Sequence, residues 1–329
     1  MPGLTEPTFA DVIDARRRIA PYLRPTPLFG YPALDEVLGT TALVKHENHQ
    51  PVGAFKVRGG VNLVSRLTTD EREHGVLAAS TGNHGQSIAY AARLFGVAAT
   101  ICAPEGANPV KVAAMRGLGA EVLLHGRDFD EARERCEELA RERGGRYVHS
   151  GDEPLLIAGV GTEMLELLED DPRVDVVFVP IGGGSGAAGC CIVAKAASPT
   201  VRIVGVQSEA APAAYRSWKE GRPVEDEMRT QAEGLATRVP FELPQQILAR
   251  LLDDFVLVTE DELRDAQRTM IETTRNLIEA AGAAPLAAAL RQRDELTGKR
   301  VALIASGGNV SPGQLAALFP PQSRARAGA

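Results

Sequence analysis

The sequence predicts an α/β protein, of two domains or of one large domain, with mostly parallel sheets flanked by helices. Apolar segments of strand length alternate with amphipathic helical segments of about 10 to 15 residues, which is the pattern of parallel sheets covered on both faces. A chain of 329 residues also exceeds the usual size of a single hydrophobic core. Small, polar loops follow several of the predicted strands, where ligands bind in such sheets.

The N-terminal half begins with a predicted helix at residues 8–23, in which Thr8 and Asp11 form a capping pair. Three prolines, the last of them Pro27, then exclude regular helix. Further along, β-branched and apolar runs predict strands, and amphipathic runs predict helices. The strands are at 42–45, 76–80, 99–103, 121–124 and 147–149, and the helices are at 88–95, 109–118 and 128–143.

The C-terminal half continues the alternation of strands and helices. The predicted elements are a helix at 154–168, strands at 174–181, 201–206, 255–259 and 300–305, and a helix at 260–281. Residues 207–250 predict a long irregular region, and the residues after Pro320 predict a disordered tail. Cys190 and Cys191 fall in a buried helix after the strand at 174–181, which suggests small apolar packing residues.

Composition argues against several classes of function. The net charge of −7 gives no general electrostatic attraction to nucleic acid or to an anionic membrane. No run approaches the ~18 apolar residues that span a bilayer, and the N-terminus lacks the basic and apolar parts of a signal peptide. We therefore expect a cytoplasmic protein. Neither the 4 cysteines nor the 6 histidines have metal-ligand spacing, so we expect no disulfide and no zinc site.

A glycine-rich loop follows the apolar strand at 174–181. Gly182-Gly-Gly-Ser-Gly186 lets the backbone approach an anion without a Cβ in the way, and the helix that follows offers free N–H groups. The loop predicts a phosphate site, although such turns also occur for packing alone. Residues 184–189 also match G-x-G-x-x-G. The next strand ends in Gln207 rather than in the acid that a dinucleotide site requires, which argues against that alternative.

Four loops are small and polar where a structural turn would need only one glycine. They are the loop that ends at Lys56 and residues 80–86, 182–186 and 306–309. Together they offer a phosphate site, an amine, hydroxyls and a side-chain amide. A lysine near a phosphate site is either a counter-charge or an amine that forms a Schiff base, and Lys56 read alone is also compatible with an ordinary surface lysine.

Four motifs in this order and approximate spacing resemble those of one enzyme family. They are Pro51-Val-Gly-Ala-Phe-Lys-Val-Arg-Gly59, Ser80-Thr-Gly-Asn-His-Gly-Gln86, Gly182-Gly-Gly-Ser-Gly186 and Ser306-Gly-Gly-Asn309. Over about residues 5 to 320 the chain resembles the fold-type II pyridoxal-phosphate enzymes, most of all their threonine/serine dehydratase and serine racemase branch. The resemblance implies a tryptophan synthase β-like fold, with a large cofactor-binding domain at 1–74 plus 149–329 and a small domain at 75–148.

The resemblance also implies the roles of individual residues. Lys56 holds pyridoxal phosphate covalently, Phe55 flanks the ring, Asn83 bonds the ring 3-hydroxyl, and Ser306 faces the pyridine nitrogen. The implied phosphate site comprises Gly182, Gly183, Gly184, Ser185 and Gly186. The implied substrate-carboxylate site comprises Ser80, Thr81, Gly82, Asn83 and His84. The candidate catalytic residues are Lys56, Ser80 and Thr81.

The implied reaction is loss of ammonia from a β-hydroxy amino acid. Lys56 removes the α-proton, the β-hydroxyl leaves, and a 2-oxo acid and ammonia are released; threonine would give 2-oxobutanoate and serine pyruvate. The neutral Ser306 favours this elimination over transamination, because it makes the ring a weaker electron sink than an aspartate would. The family further implies a homodimer with a small amino acid as substrate.

Four positions depart from the family pattern. Ala54 stands where many relatives have a serine before Phe55 and Lys56. Thr81 carries a hydroxyl where the racemase has its second acid/base, so racemisation stays open. Gln207 and Ala213 stand where the racemase has carboxylates around a divalent cation, so a metal there is doubtful. Besides a threonine/serine ammonia-lyase, the alternatives are an amino-acid racemase, a dehydratase of a bulkier or acidic 3-hydroxy amino acid, and a dinucleotide-binding protein. Glu279 matches an acidic position of the family near the site.

Overall fold

The computed structural model describes residues 4–320, so the predicted disordered tail after Pro320 lies outside the described residues. None of the helices in this range has the length and apolar character needed to cross a membrane. The strands, numbered in chain order, are β1 Leu28–Gly30, β2 Thr41–Lys45, β3 Val76–Ala79, β4 Ala99–Ala103, β5 Glu121–Leu124, β6 Arg146–Tyr147, β7 Val176–Pro180, β8 Arg202–Ser208, β9 Asp254–Val258 and β10 Arg300–Ile304.

These strands form two sheets. The larger has the order β1-β2-β10-β7-β8-β9 and is parallel except for the short edge strand β1. The smaller has the order β5-β4-β3-β6 and is parallel throughout. The predicted α/β class with two mostly parallel sheets is confirmed. The strands of the smaller sheet all lie between residues 76 and 147, and the division into domains at 74/75 and 148/149 stays a prediction.

Helices cover these sheets. They are α1 Phe9–Ile19, α2 Pro32–Leu38, α3 Lys56–Val64, α4 Thr69–His74, α5 Asn83–Phe95, α6 Pro109–Gly117, α7 Phe129–Arg143, α8 Pro154–Asp170, α9 Ser185–Ala197, α10 Ala213–Glu220, α11 Glu242–Leu251, α12 Glu260–Thr274, α13 Ala280–Arg291 and α14 Pro312–Leu318. Thr8 and Asp11 cap α1 reciprocally, as predicted. Cys190 and Cys191 are fully buried in α9, also as predicted.

Glycines bring three helices unusually close together beneath the ends of the strands. A Cβ at Gly189 in α9 would lie 2.7 Å from the backbone nitrogen of Gly161 in α8, and one at Gly159 would lie 2.7 Å from the Cα of Gly59 in α3. Such separations are shorter than side chains tolerate, so these positions require glycine. The close packing sets the first residues of α3 and α9 side by side.

Three predicted elements differ from the structure. The helix predicted at 260–281 is two helices, because Arg275 adopts a left-handed conformation with φ 57° and Glu279 N–H pairs with Gly307 O at 3.0 Å. The region predicted as irregular at 207–250 contains α10 and α11, which are short helices that leave little periodic signal. The strand predicted at 147–149 pairs only at Arg146–Tyr147.

Candidate active site

The four polar loops singled out in the sequence meet at the carboxyl ends of the strands. They are joined by Phe55 N to Ser306 O at 3.0 Å, Asn309 Nδ2 to Asn83 Oδ1 at 2.8 Å, and Lys56 Nζ to Ser185 Oγ at 2.7 Å. Side chains far apart in sequence therefore converge on one region. The constellation predicted from the loops exists in the folded chain.

Lys56 is the first residue of α3 and lies at the centre of this region. Its Nζ donates to Ser185 Oγ at 2.7 Å and to Ser150 O at 3.0 Å, and it stands 5.3 Å from the centroid of the Phe55 ring. Burial lowers the pKa of Lys56 to about 8, although the nearby Glu163 opposes the change. A lysine with such a pKa supplies neutral amine near neutral pH, which both covalent attachment and proton abstraction require.

The glycine loop has the geometry of an anion site. A Cβ at Gly182 would overlap Gly234 O, a Cβ at Gly183 would overlap the Phe241 ring, and Gly184 has a φ of 83°. Packing alone therefore explains part of the glycine content. The N–H groups of residues 185–187, in the first turn of α9, have no acceptor among the residues that the structure describes. These free donors fit a phosphate group.

The loop at 80–84 leads into the N-terminus of α5. Ser80 Oγ accepts from Gly82 N at 3.1 Å and from Gly85 N at 2.8 Å, so this hydroxyl holds the loop in shape. Thr81 Oγ has no hydrogen-bond partner within residues 4–320. His84 is buried, and its Nε2 faces Val148 O at 3.3 Å. Burial and the charge of Lys56 lower the pKa of His84 to about 3, so its ring is neutral.

Asn83 and Ser306 line the same region. Asn83 Nδ2 donates to Glu279 Oε1 at 2.8 Å, which places Glu279 beside the site as the sequence suggested. Burial raises the pKa of Glu279 to about 7, and the nearby Lys111 opposes this. Ser306 is buried, and its hydroxyl has no partner in the described part of the chain. A hydroxyl without a partner on a buried residue is available to a ligand.

Sequence reasoning missed two groups near the site. Lys111 of α6 forms an ion pair with Glu233, and its Nζ lies 3.3 Å from where a Cβ at Gly82 would stand. Glu163 of α8 is buried beside the start of α9. In the sequence, nothing distinguishes Lys111 from an ordinary surface lysine of a helix. Glu163 could have been found from the sequence, because it is a single carboxylate in the largely apolar segment around Gly161.

Gln207 occupies the position where a cation ligand was considered. Its Oε1 accepts from Tyr215 N at 3.0 Å and its Nε2 donates to Thr237 Oγ1 at 3.4 Å, so both ends of the amide have partners. Thr237 Oγ1 in turn lies 3.4 Å from Gly182 O. No group of three or more His, Cys, Asp or Glu residues in the described range is arranged to hold a metal ion. Gln207 therefore connects β8 to the glycine loop.

The residues present fit pyridoxal phosphate. The first turn of α9 offers N–H donors for the phosphate, and Lys56 offers an amine for the aldehyde. Phe55 lies beside that amine, and the free hydroxyl of Ser306 offers a neutral partner for a ring nitrogen. The phosphate, the aldehyde and the ring nitrogen of the cofactor therefore each have a matching group in the folded chain.

Comparison with known proteins gives the same result. The family model described as pyridoxal-phosphate dependent enzyme matches residues 19–307. The L-threonine ammonia-lyase of Thermotoga maritima is 40% identical over 304 residues, which are 92% of this chain and 76% of that protein. The L-threo-3-hydroxyaspartate ammonia-lyase of Saccharomyces cerevisiae is 38% identical over 314 residues, 95% of this chain and 96% of that protein.

A solved structure has the same architecture. The threonine deaminase of T.th. superposes with a TM-score of 0.88 at 40% identity, covering 93% of this chain and 99% of that one. The match of the family model extends over most of the chain and includes the three motifs that contain Lys56, residues 80–86 and residues 182–186. The chain therefore belongs to the family of pyridoxal-phosphate dependent enzymes, as its motifs predict.

Proposed function

We propose that this protein is a pyridoxal-phosphate dependent ammonia-lyase that converts L-threonine, and also L-serine, to a 2-oxo acid and ammonia. The observation that carries the proposal is the position of Lys56 Nζ, 2.7 Å from Ser185 Oγ at the start of α9 and beside the Phe55 ring. An amine in this place can bind an aldehyde whose phosphate lies on the glycine loop. The names of the relatives support the same reaction.

The cofactor, when bound, supplies an electron sink for the negative charge that develops at the substrate Cα. The protein holds it through the N–H groups at the start of α9, the covalent attachment to Lys56 and the side chain of Asn83. Ser306 offers a hydroxyl to the ring nitrogen. Because a serine hydroxyl is neutral, it does not hold that nitrogen protonated as an aspartate would, and a weaker sink favours loss of the β-hydroxyl over transamination.

Lys56 is the proposed base. The amine of Lys56 would take the α-proton of the bound substrate, and its pKa of about 8 suits this task near neutral pH. His84 has a pKa of about 3 and is neutral, so it does not compete for this role. Proton transfer at Cα is thereby assigned to one group.

The start of α5 is the proposed site of the substrate carboxylate. Its free N–H groups and the helix dipole favour an anion there. Ser80 keeps this loop in shape through its bonds to Gly82 N and Gly85 N. Of the predicted catalytic residues, Ser80 therefore acts by positioning, while Thr81 carries a hydroxyl that is free for the substrate.

A second candidate reaction is dehydration of an acidic 3-hydroxy amino acid. Lys111 Nζ lies beside Gly82, within the proposed carboxylate site, where a cation could pair with a second carboxylate. The Saccharomyces cerevisiae relative is named for 3-hydroxyaspartate. Racemisation is the third candidate, because the Thr81 hydroxyl stands where a second acid/base would act. Assays with threonine, serine and threo-3-hydroxyaspartate, with chiral analysis of the remaining substrate, separate the three reactions.

We further propose a cytoplasmic homodimer with a large domain of residues 1–74 plus 149–329 and a small domain of residues 75–148. The division into domains is supported by the smaller sheet, whose strands all lie between residues 76 and 147. Analytical ultracentrifugation of the holoenzyme tests the dimer. A monomer at micromolar concentration would contradict it.

The decisive experiment is the visible absorption spectrum of the purified protein with pyridoxal phosphate. We expect a band from lysine-bound cofactor that changes on addition of L-threonine while 2-oxobutanoate accumulates. Lys56→Ala should lose the band and at least about 10³-fold in kcat, because one side chain supplies both attachment and proton transfer. Lys219→Ala, at an exposed lysine of α10, is the matched control and should behave as wild type. Binding of NAD without any colour would instead support the dinucleotide alternative.

A further inference from the structure

Glu163 is a buried carboxyl group for which the proposed mechanism has no role. It lies in α8, is 1% exposed, and is surrounded in sequence by apolar residues. Its Oε1 accepts a weak hydrogen bond from Cys190 Sγ at 3.4 Å, and its buried Oε2 has no partner among the residues that the structure describes. A native protein rarely leaves a buried oxygen of this kind without a reason.

The carboxyl lies directly beside the glycine loop. A Cβ at Gly186 would stand 3.6 Å from Glu163 Oε1 and 3.0 Å from the Phe55 ring. Gly186 is the second residue of α9, whose first turn carries the N–H groups assigned to the phosphate. Any charge on Glu163 is therefore felt at the phosphate site, because the intervening region is protein rather than water.

The surroundings of Glu163 do not neutralise a negative charge. Arg58 and Lys45 favour a negative charge on Glu163, but their ion pairs are with Glu47 and Glu166. The ionisable groups that face Glu163 from the elements around it, and from its own helix, are Lys45, Glu47, Lys56, Arg58, Glu166 and Cys190. Burial, reinforced by the charge of Glu47, raises the pKa of Glu163 well above its ordinary value.

We propose that Glu163 is a positioning residue of the phosphate site, which must carry a proton for the phosphate group to bind to the first turn of α9. Neutral Glu163 leaves the N–H groups and helix dipole free to attract the phosphate. Ionised Glu163 places a negative charge beside the doubly negative phosphate group in a region of low dielectric, and the repulsion releases the phosphate. Binding above the pKa of Glu163 therefore takes up one proton from solvent. This inference rests on the proposed cofactor site.

The test measures retention of the cofactor rather than catalysis. Wild-type, Glu163→Gln and Glu121→Gln holoenzymes are dialysed at constant ionic strength at a series of pH values from neutral to alkaline, because burial raises the pKa of Glu163 well above its ordinary value. The pyridoxal phosphate that stays bound is then released and measured. Glu121, a partly exposed side chain of β5 paired with Arg143, provides the matched control.

We expect the apparent dissociation constant of wild type to rise by up to about tenfold per pH unit above the pKa of Glu163. The dissociation constant of Glu163→Gln should lack this rise with pH, and that of Glu121→Gln should follow wild type. The titration of the cofactor is common to all three proteins, and the pKa of Lys56, on which Glu163 acts, is measured in each protein so that its contribution is subtracted. Equal pH slopes in wild type and Glu163→Gln would overturn the inference. Absence of bound cofactor in wild type at every pH would instead overturn the proposed function.

A second measurement covers the case in which Glu163→Gln does not fold. Calorimetry with pyridoxine 5′-phosphate, which has no aldehyde to react with Lys56, in two buffers of different ionisation enthalpy counts the protons that wild type takes up when the phosphate binds. We expect the count to increase by about one as the pH rises through the pKa of Glu163, and no increase would contradict the inference.

Discussion

Two clusters of buried polar side chains lie at neighbouring positions of α3, and they differ in how fully their hydrogen bonds are satisfied. The first surrounds Arg58, which is 0% exposed and donates to Glu47 at 2.7 and 2.8 Å and to Glu166 at 2.7 Å. Lys45 donates to Glu166 at 2.9 Å. Although burial opposes it, Arg58 and Lys45 hold the pKa of Glu166 at about 2.

The second cluster surrounds Lys56, two residues before Arg58. Here the buried atoms His84 Nδ1 and Glu163 Oε2 have no partner within residues 4–320, and the Ser306 hydroxyl is also free. Burial shifts the pKa values toward the neutral forms, to about 8 for Lys56 and about 7 for Glu279. The first cluster is complete within the protein, whereas the second is complete only with a ligand. Two further buried atoms without a partner in the described range, Asn62 Oδ1 and Arg66 Nε, lie toward the other end of α3, so the Lys56 cluster is distinguished by its free groups together with the shift of its pKa values toward the neutral forms.

Removing the central cation should have the largest effect on stability. Arg58→Ala leaves the carboxylates of Glu47 and Glu166 buried without their main partner, so the free energy of unfolding should fall by about 3–5 kcal/mol. Urea denaturation measures this. Arg18→Ala is the control, because Arg18 and Asp14 are each more than 40% exposed and such pairs contribute about 1 kcal/mol or less. Equal losses in the two variants would remove the distinction between the clusters.

Glu279 tests the second cluster through pH. Its carboxyl ionises near pH 4.5 in the unfolded chain but only near pH 7 in the folded one. The neutral form of Glu279 therefore contributes fully to the free energy of unfolding below pH 4.5. This contribution, of up to about 3 kcal/mol, is lost as the pH rises through 7. Glu279→Gln should lack this decline in urea titrations between those pH values. Glu142→Gln, at an exposed residue of α7, should still lose stability as the pH rises. If Glu279→Gln also loses stability in this range, a group other than Glu279 is responsible.

Gln207 belongs to neither cluster, because it is buried, neutral and bonded at both ends. Gln207→Leu removes the acceptor of Tyr215 N and should lower the free energy of unfolding by about 1–2 kcal/mol. The same substitution at the exposed Gln246 should change it by less than about 0.5 kcal/mol. Urea denaturation of both variants gives the comparison. A loss at Gln207 as large as that of Arg58→Ala would show that charge is not what distinguishes the Arg58 cluster.

Much of the architecture follows from local patterns. Strand and helix periodicity predicted the two parallel sheets, and four small polar loops predicted a single ligand site with Lys56 in it. Local patterns failed where distant parts of the chain decide the backbone. The helix after residue 260 ends at Arg275, because the next segment pairs with the loop at 306–309. That pairing involves residues about 30 positions apart and leaves no periodic signal.

The residue types and their order along the chain were sufficient to identify the family and its cofactor, because four motifs in a fixed order are far more specific than any one of them. The same resemblance predicts Lys56 as the lysine that binds the cofactor. The tertiary structure alone decided which side chains lack partners and which carry protons. Glu163 meets the glycine loop, and Lys111 meets Glu233 and Gly82, only when helices from separate parts of the chain pack together. Burial and neighbouring charges set protonation, and neither exists before the chain folds.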